Sequence, residues 1–502
     1  MTTKNLIAGF FFIYGLLIPL LAAGFVAENK SAATAMVGCC IIIALTFILN
    51  RAFLINIILS FYVFHAYLVR PYVLVFKDEL STKHLTYIEN VNSYFNPQAA
   101  AVVYWSLFSL LLSWLLGLWV FKFGQKRNIS YIPNLFKQLD RVVLSGGLPF
   151  FFSWGILFFL NYTDPSSGLR GIQTGEGKTI FLWGLASLAT INFVCLYAFM
   201  KRYHMRLKPK RYFLLIPPSI SALSSTLAGS RGALFLVGVM ILVYWLGLNI
   251  NKKWTMRDLL IPLSSVLILL PIVLAFALFA QTLRPLFRYT DSVNISMILD
   301  ALNFESVLLV KDNLLYGITE LLHRISVLKA QFYILNDWHI HDPWQNYNPI
   351  KSIMRSINDI VPGDFFPGML TINQLFNYIY YDSYIHYSSE MWGIQGTLYI
   401  YFGHILSPIV IFIIGIFTNR IYPSLLKALT DSPSFAAFFI LLLLDIFTNG
   451  TFERIFVVDI FRPLSSFIIF LVFYKVFSSF LPTRIRLFKR SRVSYHLKNT
   501  FH

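Results

Sequence analysis

The chain has 502 residues, of which 57% are hydrophobic and 13% charged, and its mean hydropathy is +0.65. A soluble domain carries about 25% charged residues, so a deficit of this size excludes a water-exposed globular protein and leaves lipid as the solvent for most of the chain. The formal net charge of +18 does not point to nucleic acid, because the basic residues sit in short clusters between apolar runs. That pattern sets orientation in membranes, and anionic headgroups are its natural partners.

Apolar runs of about 18 residues or more cross a hydrocarbon core of about 30 Å as helices, the form that satisfies every backbone group inside lipid. The runs predict helices at 6–26, 33–50, 52–69, 98–121, 143–161, 179–200, 212–228, 232–249, 259–281, 391–417, 434–450 and 457–480. The first run follows Lys4 and is long for a signal peptide, with Phe25 at −3 to the only plausible cleavage point, Ala27. It reads as a retained helix. Cys39, Cys40 and Cys195 lie in apolar runs without a CxxC spacing, so neither a disulfide framework nor a zinc site is expected. With the N-terminus in the cytoplasm, inside segments carry 24 Lys and Arg against 9 outside, leaving out the long loop. The positive-inside rule favours that arrangement, an even number of spans and two cytoplasmic termini.

The fold class expected is therefore an all-α polytopic membrane protein with about twelve transmembrane helices and one large, partly helical loop outside. Residues 1–281 hold helices one to nine, 282–390 the loop, 391–480 the last three helices, and 481–502 a basic tail.

Ala228-Gly229-Ser230-Arg231-Gly232 falls where the apolar stretch 212–249 must turn at its outer end. An arginine there needs a partner, water or a headgroup, and flanking glycines let backbone approach a ligand closely. A guanidinium fork fits two phosphate oxygens; the bland reading is a snorkelling side chain beside a turn. Arg284 and Arg288 open the loop one turn apart and fit interfacial anchors. Leu314, Leu315, Ile318, Leu321, Leu322, Ile325 and Leu328 recur at helical spacing, an amphipathic helix that can lie on the membrane face. It carries His323-Arg324, with Glu320 placed for an i,i+4 ion pair. A loop this long is expected to fold. Its remainder is rich in Trp, Tyr, His and Asp, which suits sugar rings as well as an interfacial aromatic belt. Asp382, His386 and Glu390 are spaced by four and would share one helix face. There they would serve as a general base or as a polar cap on the helix that follows. Asp445 and Lys475 lie within late apolar runs and are assigned no catalytic role.

Three segments in this order resemble the Wzy-type oligosaccharide repeat-unit (O-antigen) polymerases, relatives of the O-antigen ligases. Gly229-Ser230-Arg231-Gly232 opens a mid-chain helix, His323-Arg324-Ile325 sits early in the large loop, and Gly396-x-x-Tyr399-x-x-Phe402-Gly403 follows the loop exit. Thr397 stands where the family pattern has Glu, and Asp382 stands where the ligases tend to carry His. The resemblance spans roughly 212–410. It implies a GT-C-like architecture in the bacterial inner (cytoplasmic) membrane with the loop periplasmic. The activity it implies is a glycosyltransferase that joins repeat units carried on undecaprenyl pyrophosphate into O-antigen or capsular polysaccharide. That lipid-linked oligosaccharide is both donor and acceptor, a Wzz-type chain-length co-polymerase is a possible partner, and no cofactor or metal is required.

On that resemblance Arg231, Arg324, Arg288 and Arg284 hold pyrophosphate. Asp382, His386, Glu390 and His323 are the catalytic candidates, and Tyr399 and Trp392 contact substrate. Rival readings are the ligase, which shares the donor, and a transporter or flippase of lipid-linked glycans; a scaffold or chain-length regulator would have few spans. The Tyr-x-x-Phe-Gly exit favours the polymerase, and the scarcity of midplane charge disfavours a transporter.

Overall fold

The computed structural model describes residues 2–21, 29–49, 51–68, 97–120, 132–162, 188–204, 211–227, 347–360, 393–448 and 455–480, with isolated positions between them. Among the described residues the structure is helical, with no β-strand. Helix α1 spans Thr3–Leu21, α2 Lys30–Ile48, and α3 Phe53–Val63, continued by a π-helical turn over Phe64–Leu68. Next come α4 Pro97–Val120, α5 Asn134–Ser145, α6 Leu148–Tyr162 and α7 Leu188–His204. A 3₁₀ turn over Tyr212–Leu215 leads into α8, Ile216–Leu227, and α9 is Pro349–Ile360. Helix α10 covers Gly393–Asp431, α11 Pro433–Thr448, and a π-helical turn over Ile455–Phe461 precedes α12, Arg462–Phe480.

Five of the described segments are long and apolar enough to cross a bilayer: Thr3–Leu20, Lys30–Ile48, Pro97–Val120, Gly393–Asp431 and Ile455–Phe480. Helices α5 and α6 meet at 112°, at a break that Gly146 and Gly147 make with positive φ. The chain is a multi-pass helical membrane protein. Ten of the twelve expected helices coincide with described helices, while 232–249 and 259–281 lie outside the described residues.

Exposure shows which sides meet lipid. On α10, Ile405 is 80% exposed, and Ile409, Ile413, Phe417 and Ile421 continue the stripe at four-residue spacing. Apolar side chains with that spacing stack along one helix face; in water they would be costly, in hydrocarbon they are not. The opposite side of α10 is pressed on α4, where Gly117 and Gly415 pack backbone to backbone. A Cβ built on Gly415 would lie 3.1 Å from the Gly117 Cα. Small residues that admit such approach are the usual means of joining helices in lipid, where apolar side chains gain nothing by leaving hydrocarbon.

Hydrogen bonds between helices divide their termini into two sets. At one end, the Arg51 guanidinium reaches the Leu118 carbonyl, the Tyr422 hydroxyl accepts the Leu54 N–H at 2.9 Å, and Ser145 meets Tyr474 at 3.1 Å. At the other end, Trp105 donates to Ser31 at 2.9 Å and Tyr104 to the Tyr67 carbonyl at 3.0 Å. Helices α2, α3 and α4 therefore alternate in direction.

The first end is closed by a two-sided clamp at the junction of α10 and α11. The Lys201 ammonium, in the last turn of α7, donates to the Thr430 carbonyl and to the Asp431 carbonyl at 3.2 Å. Asp140 of α5 accepts the Ser434 N–H at 2.8 Å and the Ser432 hydroxyl at 2.5 Å. A cation meets a helix C-terminus and an anion a helix N-terminus, as the helix dipole favours. Burial pushes the Asp140 carboxyl above its usual range, and the bonds from Ser432 and Ser434 pull it back.

Candidate functional site

The candidate site lies at the opposite end, around the start of α10. Helix α10 is two helices. Gly403 has φ 69° and ψ −176°, which breaks the α-helical path and separates residues 393–402 from 404–431. That backbone region is nearly exclusive to glycine. The break leaves carbonyls without their helical partners. The Ser407 hydroxyl meets this need, donating to the Leu398 carbonyl at 2.9 Å and the Gly403 carbonyl at 2.5 Å. The single helix expected over 391–417 thus becomes a short arm, a sharp break and a long arm that continues to Asp431, past Arg420 and Lys427.

The short arm is buried on almost every side. Gln395 is 0% exposed, Thr397 and Tyr399 2%, and Ile400 1%. It is tied to α4 by polar bonds: the Gln395 amide donates to the Val103 carbonyl at 2.9 Å and to the Ser106 hydroxyl, and the Tyr399 hydroxyl donates to the Ser106 carbonyl at 3.3 Å. Thr397 donates to the Gly393 carbonyl one turn back at 3.1 Å. The Tyr399 ring lies 4.8 Å from the imidazole of His404, across the break. Tyr399, a substrate-contact candidate from the sequence, is thus a buried side chain that ties the short arm to α4.

The segment 347–360 docks on the same place. Tyr401 donates to the Ser352 hydroxyl at 2.7 Å, and its ring stacks on Tyr347 at 6.2 Å. Ser352 belongs to α9, whose N-terminus is capped by the Asn348 side chain accepting the Lys351 N–H at 3.0 Å. Pro349 takes the first helical position, where its missing N–H costs nothing. Helix α9 also packs on the π-helical turn Ile455–Phe461, directly before Arg462. Farther along, Thr371 and Gln374 form a reciprocal cap, Thr371 N–H to Gln374 Oε1 at 2.8 Å and Gln374 N–H to Thr371 Oγ1 at 3.1 Å. Its neighbours Ile372 and Leu375 are buried.

Of the residues proposed from sequence to bind pyrophosphate, catalyse or contact substrate, Tyr399 is the one among the described residues. Arg231, Arg284, Arg288, His323, Arg324, Asp382, His386, Glu390 and Trp392 lie outside the described residues, as does the amphipathic segment 314–328. Asp445 is half-buried on α11, and Lys475 is exposed on α12 beside Tyr474, at the clamp end. The three cysteines are buried and unpaired with one another. No group of three or more metal-ligating side chains occurs among the described residues. Sequence reasoning passed over Ser352, Tyr401 and α9 itself; the signal that marked α9 was Asn348-Pro349, a cap followed by a first-turn proline. No family model, curated protein or solved structure matches the chain.

Proposed function

We propose that the protein is a polymerase of lipid-linked oligosaccharide repeat units, acting at the periplasmic face of the bacterial inner membrane. The observation that carries this reading is the Gly396-x-x-Tyr399-x-x-Phe402-Gly403 motif. It resembles the polymerase signature, and its last glycine sits at φ 69° in the break of α10. A motif that coincides with a backbone need of this kind is better founded than a chance match of letters.

Charge supports the orientation. Ten described Lys and Arg belong to the clamp end and its approaches, against four (Lys30, Lys351, Arg355 and Arg462) toward the loop end. Positive charge marks the cytoplasmic side, so the loop end is periplasmic. Connectivity supports the location of the chemistry. Arg231 follows the last residue of α8 by four positions, and Glu390 precedes the first residue of α10 by three. Helix α8 sets out from the clamp end, where Tyr212 of its leading turn contacts Phe199 near the end of α7.

In the reaction, the anomeric carbon of the growing chain separates from its lipid pyrophosphate and bonds to a hydroxyl of a new lipid-linked unit. Arg231 and Arg324, with Arg288 and Arg284 in support, stabilise the charge that develops on the leaving pyrophosphate. The sugar passes through an oxocarbenium-like state, and a base among Asp382, His386 and Glu390 accepts the acceptor's hydroxyl proton. The test is genetic and biochemical at once. A null strain complemented with wild-type protein should make a ladder of long glycans, and Arg231→Ala should leave glycans of one repeat unit while inserting normally in the membrane. Ladders of normal length and yield from Arg231→Ala would remove that residue from the mechanism.

A further inference from the structure

Helix α9 is amphipathic in an unusual sense: its side against the protein is polar. Ser352 and Ser356 are 0% exposed, whereas Ile350 is 68% and Ile353 44% exposed. At about 100° per residue, the described side chains fall into three sectors. Ser352 and Ser356 face the bundle, where the Ser356 hydroxyl donates to the Ser352 carbonyl at 2.8 Å and Tyr401 binds Ser352. Ile350, Ile353, Met354 and Ile357 occupy the next sector, with Met354 and Ile357 partly exposed. Lys351, exposed, and Arg355, partly buried, take the third.

We infer that α9 lies in the bilayer interface of the loop side, with its isoleucine sector in the acyl region and Lys351 and Arg355 at the depth of lipid phosphates. This does not rest on the polymerase reading. Two observations select lipid as the occupant. The first is continuity: α9 is bonded through Tyr401 to the turn just before Ile405, where the exposed apolar stripe of α10 begins. The apolar sector of α9 and the lipid-facing stripe of α10 thus start from the same end of the bundle. The second is charge: the flanking basic residues complement phosphate headgroups, and a helix with an apolar face edged by Lys and Arg is the form that settles in an interface. The Tyr401–Ser352 bond fixes which side of the helix faces the protein.

The inference is tested with the full-length protein in vesicles of phosphatidylethanolamine and phosphatidylglycerol. Ile350→Cys, Ile353→Cys and Lys351→Cys are each labelled with an environment-sensitive NBD probe; the native cysteines are buried. Ile350 is so exposed that its replacement leaves packing intact, which separates a folding failure from a real result. The expected result is loss of fluorescence at 350 and 353 with doxyl-labelled lipid and not with aqueous iodide, and the reverse at 351. Iodide quenching at 350 and 353 equal to that at 351 would place the face in water and overturn the inference. Shielding of 350 and 353 from both quenchers would overturn it equally, because protein would then cover the face.

Discussion

At Gly403 an alanine would have to hold φ near 69° with ψ near −176°. Such conformations cost about 1–3 kcal/mol for residues with a Cβ, so Gly403→Ala should lower the thermal unfolding midpoint in detergent. Ser407→Ala, which removes the bonds to the Leu398 and Gly403 carbonyls, should cost about 1 kcal/mol. An unchanged midpoint in Gly403→Ala would mean that the break is not a fixed feature. The sequence pointed to this glycine only through a resemblance of motif; why glycine stands there is visible only in the backbone. Tyr399 was less legible: its 2% exposure and its bond to the Ser106 carbonyl, which tie the short arm to α4, have no mark in the sequence.

Helices differ in how plainly their sequences announce them. The long apolar helices were legible because lipid demands about 20 residues of uninterrupted apolar character, and α1, α2, α4 and α12 supply it. Helix α5 was hidden in what looked like a basic connection, since an amphipathic helix at a membrane face needs no long apolar run. Helix α9 was hidden because its apolar side does not mark the core. The role of α5 can be measured at Asp140. Asp140→Ala deletes the acceptor of the Ser434 N–H and the Ser432 hydroxyl and should cost about 1.5–3 kcal/mol, the range for hydrogen bonds to a charged group. Asp140→Asn keeps one acceptor and should cost less; equal midpoints for the two variants would argue against the clamp. At the crossing of α4 and α10, Gly117→Leu has no room against Phe412 and Gly415. It should abolish a monodisperse detergent-solubilised protein, whereas Leu116→Ala on the exposed side should not.

For the molecule as a whole, the separation of its two ends is the feature on which orientation and function both depend. Lys427 lies near the clamp end of α10 and Lys351 beside its other end. In intact cells a membrane-impermeant thiol reagent should label Lys351→Cys and should reach Lys427→Cys only after permeabilisation; labelling of both from one side would undo the arrangement. The overall class, a multi-pass helical membrane protein, was readable from hydropathy because lipid imposes long apolar helices. The candidate residues Arg231, Arg324, Asp382 and Glu390 were readable only as residue types in order, since whether distant positions meet is a matter of tertiary packing that no local pattern encodes. The most direct test of the proposed activity is reconstitution of the purified protein with its undecaprenyl-pyrophosphate-linked repeat unit. A ladder of lengthening lipid-linked glycans, formed without nucleotide sugar, is the predicted result. An intact repeat unit beside folded protein would contradict it, and transfer seen only after lipid A core is added would assign the protein to the ligases.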